Sequence, residues 1–235
     1  MKKKIILLPL LAAVLLLASC ADGNRQQGAD GSTDSGASTS APVQPAAQND
    51  AAAEEGSVLV AYFSWADNAV IENAEEVDAV SAPSVLAPGN VQQLAGWVQQ
   101  TVGGDLFSIR VTEPYSSDWD ECLERANQER AEDARPELAD TIEDMERYDT
   151  VFLGYPNWWY GAPMAVLSFL EAYDFSGKQV YLFCSHGTGG LAGSVEDIRN
   201  SMPGGNISDN IFDVYEEDAA SSQEAVEAWL AELGY

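Results

Sequence analysis

Short unbroken apolar runs, set between amphipathic helical patterns, constrain this chain more than any other feature. Val58–Phe63, Leu106–Val111, Thr150–Tyr155 and Gln179–Cys184 are each only strand-length and are rich in β-branched and aromatic residues. Runs that stay apolar at successive positions fit strands covered on both faces, which is the condition of a parallel sheet. A weaker fifth run lies near Ile207 to Val214. Between the runs, Val91, Leu94, Ala95 and Val98 share one helical face behind Gly89-Asn90, and Gly103-Gly104 stops that helix. Asp118 to about Ala134 reads as a charged amphipathic helix with Asp118 as its N-cap. Pro163 to Tyr173, Leu191 to Ser201 and Ser221 to Leu233 are the remaining helices, and Ser221-Ser222-Gln223-Glu224 has capping-box spacing. Five alternations of strand and helix predict an α/β fold: a doubly wound, five-stranded parallel sheet with right-handed crossovers and helices on both faces.

A doubly wound sheet holds ligands outside the carboxyl ends of its strands, where the strand order reverses. Three segments leave strands at that end. The first begins Ser64-Trp65 and continues irregularly to Pro88. The second is Tyr155-Pro156-Asn157-Trp158-Trp159-Tyr160-Gly161. The third is Ser185-His186-Gly187-Thr188-Gly189-Gly190. Large aromatics are costly on a surface loop unless they cover something flat and apolar. Three in a row cannot all point inward, so the segment reads as a platform for a planar ligand, with core packing as the rival reading. One of Trp158 and Trp159 is expected to face the ligand and the other to pack beneath. Tyr160 is either a second face or exposed. Trp65 either covers the ligand or packs against the stretch that follows it, and Trp119 reads as core. Ser185 and His186 do not form a hydrolase pair, because adjacent residues rarely place a base against the neighbouring nucleophile and no Gly-x-Ser-x-Gly elbow is present.

Residues 1–20 have the form of an export signal: Lys2-Lys3-Lys4, an apolar stretch Ile5 to Ala18, then Ser19-Cys20. The stretch is below the roughly 20 residues a spanning helix needs. Leu17-Ala18-Ser19-Cys20 resembles a bacterial lipoprotein signal, in which the cysteine carries lipid. Localisation is therefore expected at the extracytoplasmic face of the cell membrane, through the lipid anchor only. Residues 21–56 are nearly all small or polar and cannot bury enough surface to offset chain entropy. They read as a tether with a root-mean-square span of roughly 35 Å. The domain is assigned to residues 57–235. A net charge of −27 argues against nucleic acid and against docking on anionic lipid headgroups. Cys122, in a helix, and Cys184, at a strand end, are expected to be buried free thiols.

Tyr62-Phe63-Ser64, Tyr155-Pro156-Asn157-Trp158-Trp159 and Phe183-Cys184-Ser185-His186-Gly187, in this order and with Pro114-Tyr115 ahead of an acidic helix, resemble the flavodoxin family. The resemblance covers roughly Ser57 to Tyr235. It implies a flavodoxin-like fold and non-covalent FMN, with the phosphate held after the first strand and the ring between the loops after the third and fourth. Carried onto this chain, the cofactor contacts are Ser64, Trp65, Gly89, Asn90, Val91, Pro156, Asn157, Trp158, Trp159, Tyr160, Gly161, Ser185, His186, Gly187, Thr188 and Gly189. The implied activity is electron transfer to an unidentified redox partner, or FMN-dependent reduction of small acceptors. The rival is a cofactor-free binding module that keeps the fold. His186 either biases the flavin toward its reduced anion or caps a backbone carbonyl.

The chain departs from the family at the phosphate loop. The compact hydroxyl-rich loop is replaced by Ser64-Trp65-Ala66-Asp67-Asn68-Ala69, a long insertion, and then Pro88-Gly89-Asn90-Val91. Val91 stands where a hydroxyl is usual and Pro88 removes an N–H. Ser81 and Ser84 are the hydroxyls at hand to replace what is lost. Asp67, Glu72, Glu75, Glu76 and Asp78 would repel a phosphate if they folded over it.

Overall fold

A computed structural model describes residues 57–235; the signal, Cys20 and the tether lie outside the described residues. In chain order the elements are β1 Ser57–Tyr62, α1 Trp65–Asn68, β2 Ala69–Val70, α2 Ala82–Val85, α3 Asn90–Val102, β3 Asp105–Ser108, β4 Tyr115–Ser116 and α4 Trp119–Ala131. They continue with β5 Tyr148–Pro156, α5 Met164–Ala172, β6 Gln179–His186, α6 Ser194–Ser201, β7 Asn206–Ile207, β8 Phe212–Tyr215 and α7 Gln223–Leu233.

The main sheet runs β3-β1-β5-β6-β7, with β8 also on β6, and every pairing is parallel. Flavodoxins are the familiar example of this winding order. In β1, β5 and β6 successive residues of the apolar run feed opposite cores, whereas the second run is a strand only as far as Ser108, with Leu106 exposed and Phe107, Ile109 and Val111 all on one face. Leu59, Ala61 and Phe63 join Leu153, Tyr155, Leu182 and the residues of α5 on one face. Val60 and Tyr62 join Phe152 and Phe183 against α3 and α7 on the other. That period of two inside a continuous apolar run is why these segments are central strands.

Four local expectations are corrected. The fifth strand is two short strands, because polar Ser208-Asp209-Asn210 interrupts it and Asn210 N–H turns back onto Ser208 Oγ at 3.1 Å. The stretch after Ser64 is not wholly irregular: it holds α1, α2 and β2, which pairs with β4. The capping box at 221–224 does not form. A 3-10 turn over Ala219–Ser221 precedes α7, and the Ser221 and Ser222 hydroxyls donate backwards to Asp218 and Ala219 carbonyls. β6 runs on through Ser185 and His186, so the third segment begins at Gly187.

Candidate ligand cleft

β1, β5 and β6 end side by side, and their carboxyl ends open into a cleft of about 370 Å³. Pro156, Asn157, Trp158, Trp159 and Tyr160 line one side, and Ser185, His186, Gly187, Thr188 and Gly189 another. A narrow extension of about 10 Å³, the room of roughly one water, reaches Ser64, Asn90 and Val91. Trp65, Ser84, Pro156, Trp158 and Ser185 border both spaces.

The aromatic segment is a tight hairpin rather than a loose loop. Trp158 N–H donates to Gly161 C=O at 2.9 Å, and Gly161 N–H to Trp158 C=O at 3.0 Å. Trp159 and Tyr160 at its tip have φ of 47° and 69°. The left-handed region costs a non-glycine residue about 1–2 kcal/mol, and strain of this kind persists only where the surroundings impose it. The surroundings are identifiable. Arg130 of α4 donates through Nη2 to Ala162 C=O (2.9 Å) and through Nη1 to Asp197 Oδ2 (3.2 Å), and Ala162 N–H donates to the same carboxylate oxygen (3.1 Å). The guanidinium lies so close to Gly161 that a Cβ there would sit 1.8 Å from Nη2. Gly193 N–H holds Tyr160 C=O at 3.1 Å.

Trp158 meets Phe63, Trp65 and Tyr115 edge-to-face at centroid separations of 5.2, 6.1 and 5.2 Å. Trp159 packs on Trp158 and on Trp119. Both rings are half-buried, whereas Tyr160 is 70% exposed. Trp65 is buried, its Nε1–H donates to Ser116 C=O of β4 at 3.0 Å, beyond the insertion, its ring meets Trp119 and Trp158, and it lines the cleft. Trp119 is not core as expected: it is exposed and lines the cleft from the first turn of α4.

Asn157 joins two of the segments. Its N–H donates to Ser185 C=O at 2.9 Å and its Nδ2 donates to Gly190 C=O. His186 Nδ1 faces Gly187 C=O at 2.8 Å and Nε2 faces Asp213 Oδ2 at 2.9 Å. The carbonyl-capping reading of His186 is what the geometry contains. Glu216 is the one carboxylate among the lining residues, and no Lys or Arg is among them. Burial, reinforced by Glu217 and opposed by His186, raises the Glu216 pKa.

At the far end, Ser64 and Gly89-Asn90 are neighbours despite the insertion. A Cβ on Gly89 would lie 2.9 Å from Ser64 Oγ and 2.6 Å from Ser84 C=O. Val91 turns its side chain into the core beside Val60, Tyr62 and Leu94, so it offers the site no more than backbone and a methyl edge. Gly161 lines neither space; its role is the hairpin closure. The insertion's carboxylates stay clear. Asp67 accepts from Gln92 Nε2 (3.2 Å) and Ser108 Oγ (2.8 Å), and burial with Asp67 alongside pushes the Tyr62 phenol up to about 12. Glu72, Glu76 and Asp78 face a separate groove beside Asp118 and Glu121.

Among the described residues, the buried side-chain polar atoms without a partner are Ser64 Oγ, Ser81 Oγ, Asn90 Oδ1 and Asn157 Oδ1. All four residues line the cleft or its extension. Cys122 and Cys184 are free and buried. Burial pushes the Cys122 thiol up to about 12 and raises Cys184 further, so neither is a reactive thiolate. Among the described residues no His, Cys, Asp and Glu cluster could hold a metal ion, and no helix is long and apolar enough to cross a membrane.

Sequence reasoning missed Val80, Tyr215 and Glu216 as lining residues. Tyr215-Glu216 were findable, since they leave the carboxyl end of the last strand; Val80 sits on an insertion without periodic pattern.

No curated protein matches the chain. A crystal structure of a candidate flavoprotein from Bacteroides eggerthii DSM 20697 is 27% identical at a TM-score of 0.57, covering 76% of this chain and 98% of that one. A second, from Bacteroides uniformis ATCC 8492, is 26% identical at 0.59, covering 76% and 99%. A family model described as flavodoxin matches residues 80–233. That match spans more than half of the sequence, and the chain belongs to the flavodoxin family.

Proposed function

We propose that the cleft binds FMN, and that the protein carries electrons through it, or reduces small acceptors with it, from a lipid anchor at Cys20 on the outer side of the cytoplasmic membrane. The observation that carries the ligand reading is the clustering of unpartnered buried polar atoms in one cleft of a flavodoxin-family domain. A buried hydroxyl or amide oxygen without a partner costs about 1–3 kcal/mol, so four at one place favour a ligand that satisfies them.

The residues present fit the cofactor. Trp158, Trp159 and Trp119 give an apolar wall for a planar ring, and the cleft is within the usual size of small-molecule sites. At the other end, hydroxyls and the first N–H groups of α3 can hold a phosphate without Lys or Arg. FMN, when bound, supplies the redox chemistry. The chain's share is to hold the ring, exclude water with the tryptophans, and set the local field. Glu216 in the lining, and Asp213 hydrogen-bonded to His186, are the carboxylates placed to do that.

Purified protein should be yellow, with flavin absorbance that bleaches on chemical reduction and returns in air. A colourless protein that stays colourless after incubation with micromolar FMN contradicts the reading. For the anchor, cells fed a labelled fatty acid should label the wild-type chain and not Cys20→Ala; equal labelling of both removes Cys20 as the attachment point.

A second reading, a cofactor-free module using the aromatic cleft for another planar or sugar-like ligand, is favoured by the water-sized extension and by Val91 lying in the core. It predicts binding of such ligands with no preference for a phosphorylated flavin.

A further inference from the structure

We infer that the 66–88 insertion is itself a ligand-binding element: Ser81 and Ser84 complete a site for a phosphate monoester, replacing the hydroxyl that Val91 does not supply. The inference rests on the flavin reading above and names which residues confer selectivity within it.

Several observations converge on this placement. Ser64 is 1% exposed, Ser81 2% and Asn90 2%, and each leaves a side-chain oxygen without a partner. Buried orphans of this kind are rare, and here they come from three separate stretches of chain. Ser64 and Asn90 line the narrow extension, Ser81 the main cleft, and Ser84 borders both. Asn90 Nδ2 reaches Ser84 Oγ at a long 3.4 Å and Glu216 C=O at 3.0 Å; the free amide oxygen only accepts, so it suits a ligand hydroxyl beside the phosphate and not the phosphate itself. Asn90 also opens α3, a helix of 13 residues whose first N–H groups and dipole favour an anion. Gly89 lets the backbone close against Ser64 and Ser84, where a Cβ would collide with both.

The Ser81 hydroxyl lies near Asp78, and together with the Ser81 N–H it holds that carboxyl below its usual range. The firm bond there is Ser81 N–H to Asp78 Oδ1 at 3.0 Å; the hydroxyl has no hydrogen-bond geometry to any protein acceptor. Glu72, Glu76 and Asp78 line the separate groove, whereas Ser81 and Ser84 line the cleft. The extension admits a body of roughly one water, so a phosphate seats only if its lining residues, Ser84 of the insertion among them, move apart. Ligand binding and the conformation of the insertion are thereby coupled.

The test is a pair of titrations, FMN and riboflavin, followed by flavin-fluorescence quenching in the parent and in Ser81→Ala, Ser84→Ala and the double variant. The parent should prefer FMN to riboflavin by at least tenfold. The double variant should lose most of that preference while its riboflavin affinity stays within about twofold, which also shows that its cleft is folded. Inorganic phosphate should compete with FMN and not with riboflavin, and FMN should slow proteolysis within 66–88 where riboflavin does not. A double variant that keeps the parent's preference overturns the inference and leaves the flavin reading intact. Equal parent affinities for the two flavins also overturn it, whereas no binding of either flavin overturns the flavin reading itself.

Discussion

The two ends of the cleft are built on opposite principles. The aromatic end largely completes itself: Trp158 is locked edge-to-face among Phe63, Trp65 and Tyr115, the strained hairpin that presents Trp159 is clamped by Arg130 and Asp197, and Asn157 Oδ1 is its one unpaired buried oxygen among the described residues. The hydroxyl end is incomplete: Ser64, Ser81 and Asn90 each keep a buried oxygen unpaired. A wall that must present a flat apolar surface can be finished by the protein alone. A niche for a polar group cannot, because its polar atoms stay unsatisfied until the group arrives. The difference separates residues that hold the scaffold from residues that wait for a ligand, and substitutions at the two ends should behave differently.

The largest effect is expected at the aromatic end. Trp158→Ala removes a large ring from the contact of three other aromatics and should cost about 3–5 kcal/mol of stability, read from urea denaturation. A loss below about 1 kcal/mol would show that the wall does not hold itself together. Gly161→Ala should cost about 1–3 kcal/mol, because the new Cβ displaces the Arg130 guanidinium. Combined with Arg130→Met, the two losses should be less than additive, since both break one clamp; full additivity would separate them. At the incomplete end the sign reverses. Ser64→Ala removes an unsatisfied hydroxyl, so the ligand-free domain should keep its stability or gain up to about 1 kcal/mol, while FMN affinity falls. A marked loss of ligand-free stability would mean that Ser64 is already satisfied and belongs to the scaffold.

Much of the scaffold was legible in the sequence. Val58–Phe63 is apolar at every position because it feeds two cores, and Asp118 caps α4 as its position suggests, accepting from Glu121 N–H at 3.1 Å. The order of the three segments at the strand ends was readable too, and the structure brings them to one cleft. What escaped was short or tertiary in origin. α2 and β2 are four and two residues long, too short for any periodic signal. Trp119 sits on an amphipathic helix where pattern predicts burial, yet it lies in the first turn, at the cleft edge. Arg130 carries no local mark of its reach to Ala162 and Asp197, which follows from how α4 lies against the hairpin.

The central claim is that the two ends together hold a phosphorylated flavin. Titrating the flavin-free domain with FMN, and following both flavin and tryptophan fluorescence, tests it most directly. The account predicts saturable one-to-one binding at micromolar FMN or tighter, with both emissions quenched, because the ring lies against Trp158, Trp159 and Trp119. Unchanged emission from both chromophores across that range would contradict it.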